Sequence, residues 1–72
     1  MKTYNVEYRY SGGSMQALQR TDGTTPKKAL EAWAAENAMT VENVRLCRGP
    51  GFRVYRWHGY HGGALPISGN IF

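Results

Sequence analysis

The residues best equipped for chemistry crowd into one stretch. Between Val41 and His58, Arg45, Arg48, Arg53 and Arg56 face a single carboxylate, Glu42, and are interleaved with Tyr55 and Trp57. Guanidinium groups hold carboxylates and phosphates through paired N–H donors. Aromatic rings beside them add stacking and contact area. On a sheet face this combination suits single-stranded nucleic acid, with guanidinium on phosphate and ring on base. It equally suits a protein interface, where Trp, Tyr and Arg are the usual anchors. The third reading is an ordinary strand whose rings are covered by the rest of the chain. Arg45, Arg48, Arg53, Tyr55, Arg56 and Trp57 are the candidate partner-binding residues.

Other chemistry has weaker footing. Cys47, His58 and His61 are the soft metal ligands. His-x2-His beside glycines, with one distant thiol, lacks the four ligands of a structural zinc site, so no metal is expected. Cys47 has no acidic partner near it in sequence, and its expected role is that of a small strand side chain. Gly49-Pro50-Gly51 and the glycines from Gly59 to Gly63 lack the strand, lysine and helix that make a phosphate loop. Glu7, Asp22, Glu31, Glu36 and Glu42 are scattered, with no pairing for acid–base work. No catalytic residue and no cofactor are expected, and the chain reads as a binding protein rather than an enzyme.

The elements that must position the arginine cluster can be read from periodicity. Lys2 to Tyr10 alternates, Tyr4, Val6, Tyr8 and Tyr10 against Thr3, Asn5, Glu7 and Arg9, which predicts a half-buried strand. Ser11-Gly12-Gly13-Ser14 then predicts a turn, and Met15 to Arg20 a returning strand. Thr21 to Thr24 contains Asp22-Gly23, a turn pair. Thr25 can cap a helix that Pro26 opens. Ala29, Leu30, Trp33 and Ala34 form its apolar stripe, and Asn37 or Ala38 ends it. Val41 to Arg48 and Phe52 to His58 predict two strands around a turn at Gly49-Pro50-Gly51. Val44, Leu46, Phe52 and Val54 are expected to face the helix with the tyrosine row. Glu7, Arg9, Arg45, Cys47, Arg53, Tyr55 and Trp57 are expected on the open face.

The expected architecture is α+β, β-β-α-β-β: a four-stranded, mostly antiparallel sheet with one helix across one face. Residues 1–58 would form a single domain, and residues 59–72 a glycine-rich C-terminal arm that docks Leu65, Ile67, Ile71 and Phe72. The chain has 72 residues, one cysteine and a formal net charge of +4. One cysteine precludes an internal disulfide, which fits a reducing compartment. No apolar run is long enough for a membrane span or a secretion signal. The chain therefore reads as complete and cytoplasmic, with acidic partners favoured by its charge.

A hairpin, then a helix carrying Ala29-Leu30-Glu31 and Trp33, then a strand carrying Val44-Arg45 and Cys47, resembles the small host RNA polymerase inhibitors of podophages. The resemblance covers Tyr4 to Cys47; the hairpin and glycine-rich stretch after Gly49 are additional. In size and layout the chain is also similar to small anti-CRISPR proteins. These resemblances imply a phage-type inhibitor that works in the bacterial host cytoplasm by binding a host protein or nucleoprotein complex. A nucleic-acid-binding accessory protein using the same face, and a module that pairs with itself as a homodimer through an exposed strand edge, are the alternatives.

Overall fold

The computed structural model describes residues 1–16 and 18–72, and of Phe52 the backbone alone. Alternating β-formers make Lys2–Tyr10 strand β1. Gln19–Gly23 is β2, Pro26–Glu36 is helix α1, Met39–Gly49 is β3, Phe52–His61 is β4 and Leu65–Ile71 is β5. The strands form one five-stranded antiparallel sheet in the order β2-β1-β5-β4-β3. The fold is thus α+β with one helix among the described residues, as expected, but it has a fifth strand.

That fifth strand is the main correction. Leu65–Ile71 lies in the stretch read as an irregular arm, yet it is the central strand, pairing with β1 through Val6↔Ile71 to Tyr10↔Ile67 and with β4 through Tyr55↔Ile71 to His61↔Leu65. Its alternation is real: Ile67 and Ile71 are buried. Gly69 interrupts the apolar row, and Pro66 is a residue normally kept out of central strands. Pro66 sits near the start of β5, and its carbonyl accepts from Ser11 N at 3.2 Å.

The N-terminal hairpin is also longer in its connection than expected. The returning strand is Gln19–Gly23, not Met15 to Arg20, and Asp22-Gly23 lies inside it rather than in a turn. Ala17, part of the predicted strand, lies outside the described residues. The shift arises because β2 pairs only with Lys2 to Val6, while β5 takes Val6 to Tyr10.

The helix follows its sequence signals. Thr25 is the N-cap, its hydroxyl accepting from Lys28 N at 3.1 Å, and Pro26 follows it. Ala29, Leu30, Trp33 and Ala34 are buried. Asn37 closes the helix, donating from its side chain to Trp33 O at 2.8 Å, and Ala38 takes the left-handed φ of 57°. A Thr25→Ala variant is expected to lose about 1 kcal/mol, seen as a lower urea midpoint at unchanged slope. An unchanged midpoint would show that the cap contributes nothing.

Beneath the helix lies an aromatic chain. Trp33 meets Trp57 edge to face at 5.8 Å between ring centroids and meets Tyr8 at 5.4 Å; Tyr8 meets Tyr10, which in turn lies 5.8 Å from His61. Trp33 Nε1 donates to Gln19 Oε1 at 2.9 Å, and Tyr10 Oη lies 2.6 Å from His61 Nδ1. Val6, Leu30, Met39, Ile67 and Ile71 complete the buried core, with Val41, Val44 and Tyr55 packed against it. The register of β3 shifts between Val41 and Asn43. This bulge at Glu42 lets Val41 and Val44 share one face.

A candidate binding face on the uncovered side of the sheet

Residues directly opposite in antiparallel strands point to the same side, so the register defines the face away from α1. One row runs Arg9, Ser68, His58 and Asn43; the next runs Glu7, Asn70, Arg56 and Arg45. Beyond them come Val54 and Cys47, with Phe72, whose backbone exchanges hydrogen bonds with Asn5. At the other edge Arg20 and Asp22 share this side, where Thr3 Oγ1 donates to Asp22 Oδ1 at 2.7 Å.

The predicted residues divide. Arg45 and Arg56 are exposed cross-strand partners on this face. Arg48 and Arg53 are likewise exposed partners, but they lie at the hairpin end with the opposite orientation. Tyr55 is half-buried against the core. Trp57 is 0% exposed and stacks against Trp33, so it is a core residue and not a contact residue. The expected inside set is corrected accordingly. Val54 faces outward, opposite Cys47, and Leu46 shares the helix side but is 37% exposed. Phe52's side chain lies outside what is described.

Both alternations of β4 carry apolar residues, and size decides between them. Turning Trp57 and Tyr55 inward buries the larger rings. It also leaves Arg56 in water, where the opposite choice would bury a charge at high cost.

Three clefts lie on or border this face. One of about 370 Å³ is lined by Arg9, Met15, Arg56, Trp57, His58, Ser68, Gly69 and Asn70. Another of about 370 Å³ is lined by Glu7, Cys47, Arg48, Val54, Arg56, Asn70 and Phe72. A third of about 220 Å³ is lined by Asn43, Arg45, Cys47, Arg56 and His58. Arg56 borders all three. Glu7 is held in place, its Oε1 accepting from Asn70 Nδ2 at 2.9 Å.

Reading from sequence missed Ser68 and Asn70, because their strand was taken for an arm, and His58, which was weighed only as a metal ligand. Arg9 was legible from the polar alternation of β1. Ser68 and His58 are register partners, the pairing from which a nucleophile and base can be built. Among the described residues no carboxylate is hydrogen-bonded to the imidazole, whose register neighbours are Ser68 and Asn43. His58 and His61 fall on opposite alternations of β4, and among the described residues no three His, Cys, Asp or Glu side chains converge as metal ligands. What this face can do is bind: arginine stays charged and donates in fixed directions.

No protein-family model, curated protein or solved structure matches the chain. No helix among the described residues is long and apolar enough to cross a membrane.

Proposed function

We propose that this chain is a non-enzymatic binding module of inhibitor type, which docks its uncovered sheet face on a host protein or nucleoprotein complex in the bacterial cytoplasm. The observation that carries the reading is the convergence of Arg9, Arg45, Arg56 and His58 on a face that no second layer covers among the described residues. A basic face attracts an acidic one and sets its orientation. The partner surface is protein rather than single-stranded nucleic acid. The stacking mode needs a row of rings on the sheet face; Trp57 is in the core and Tyr55 packs against it, which leaves Phe72 at the margin of the face and the His58 imidazole in place of such a row.

The test is affinity capture from bacterial lysate, with and without nuclease, using the native chain and Arg45→Glu/Arg56→Glu. Both positions are exposed, so the variant should keep its circular dichroism. The native chain is expected to retain a nuclease-resistant partner that the variant loses by about tenfold or more, since truncating or reversing paired interface charges costs several kcal/mol. Equal capture by a folded variant would refute the use of this face. Capture that disappears with nuclease would transfer the reading to nucleic acid.

A further inference from the structure

The uncovered face is not uniform, and its two larger clefts differ in chemistry. The first is lined by Arg9, Arg56, His58, Ser68 and Asn70, whose side chains carry guanidinium, imidazole, hydroxyl and amide groups, and by no carboxylate among the described residues. Those are oxyanion-binding groups. The second cleft gathers Cys47, Val54 and Phe72, and Phe72 is 41% exposed. Its rim includes Glu7, held there by Asn70, and the arginines Arg48 and Arg56. Arg56 and Asn70 border both clefts.

We infer that the two clefts are paired subsites for one extended acidic segment of a partner protein, which places a carboxylate in the Arg9–Arg56–His58–Ser68 cleft and an apolar side chain in the Cys47–Val54–Phe72 cleft. The inference rests on the reading of this face as a protein-docking surface. Along the C-terminal stretch the first cleft is lined by Ser68, Gly69 and Asn70 and the second by Asn70 and Phe72. That offset is two residues, about 7 Å at the usual strand rise. An extended segment projects residues i and i+2 to the same side over that same distance. The linings set the order. Arg9, Arg56, His58 and Ser68 offer donors to a carboxylate in the first cleft, while Cys47, Val54 and Phe72 offer apolar contact in the second, whose rim carries Glu7 together with Arg48 and Arg56.

The test uses the intact protein and a capped pentapeptide, Ser-Glu-Thr-Leu-Ser, followed by amide chemical shifts and by the alkylation rate of Cys47, which is half-exposed and reports on the second cleft. The expected result is shifts confined to both clefts, including Ser68, Asn70 and Val54, together with slowed alkylation of Cys47. Replacing the peptide's glutamate by glutamine, or making Arg9→Gln/Ser68→Ala in the protein, is expected to weaken binding about tenfold, the scale of one charge-assisted contact. Replacing the leucine by alanine should remove the Cys47 protection and leave the Ser68 shift. Peptide binding indifferent to both the glutamine and the Arg9/Ser68 changes would overturn the inference. So would inorganic phosphate or a single-stranded oligonucleotide shifting these amides where the peptide does not. Failure here is separable from failure of the docking face. If Arg45→Glu/Arg56→Glu abolishes lysate capture while Arg9→Gln/Ser68→Ala leaves it intact, the face stands and the paired subsites fall.

Discussion

Replacing Trp57 by alanine is expected to leave most of the protein unfolded at room temperature. The side chain is 0% exposed, lies edge to face on Trp33 and sits opposite Val44 on β3 and Gly69 on β5. Truncating a buried tryptophan costs about 3–5 kcal/mol. A domain of this length holds about 4–11 kcal/mol in total, so the loss consumes much or all of it. Urea titration followed by far-ultraviolet circular dichroism checks the result without depending on tryptophan fluorescence. Trp57→Phe is the companion measurement. It keeps a ring against Trp33 and removes an indole N–H that is buried without a hydrogen-bond partner, so its cost should be about 1–2 kcal/mol. A Trp57→Ala protein as stable as the native chain would place Trp57 outside the core and return it to the docking face.

Gly69→Ala is expected to cost about 3 kcal/mol or more, although it adds a single methyl group. A Cβ at Gly69 would run into the Glu7 carbonyl oxygen and the Tyr8 Cα of β1, which are backbone atoms that cannot step aside. Ordinary overpacking costs about 1–3 kcal/mol, and here the strand pairing itself must yield. Gly69 sits between Tyr8 and Trp57 in register. Its missing side chain leaves that row to the large rings on either side. Gly12→Ala is the control. Gly12 has φ 77° but nothing within 4 Å of a new Cβ, so only the left-handed backbone is penalised, at about 1–2 kcal/mol. Gly69 has no left-handed φ to penalise, so a loss there no larger than that of Gly12→Ala would show that the strand pairing accommodates the methyl group and that close approach does not make glycine necessary.

The elements governed by local chemistry were legible in the sequence. Thr25 and Pro26 announced the helix, its stripe named the buried residues, and the alternation of Tyr4, Val6, Tyr8 and Tyr10 announced β1. Features decided by distant partners were not. β5 reads as irregular because Gly69 answers to the backbone of β1 and Pro66 breaks the usual strand pattern. The orientation of β4 could not be read from alternation alone, since Val54 and Trp57 both look like inward residues until Trp33 supplies a partner for one of them. Of the candidate contact residues, Arg45 and Arg56 share the uncovered face. Trp57 was misassigned for this reason, and Ser68 and Asn70 were missed with their strand.

The position of β5 governs the order of assembly. It is fifth in the chain and third in the sheet, and it joins β1 to β4, which make no direct strand pairing with each other. Contacts such as Val6↔Ile71 link opposite ends of the sequence, the kind of non-local closure that slows folding. During synthesis the β1–β2 hairpin, α1 and the β3–β4 hairpin all emerge before the strand that unites them, and β1 and β4 each keep an unpaired edge until it arrives. Pairing of Leu65–Ile71 is what turns two hairpins into one sheet.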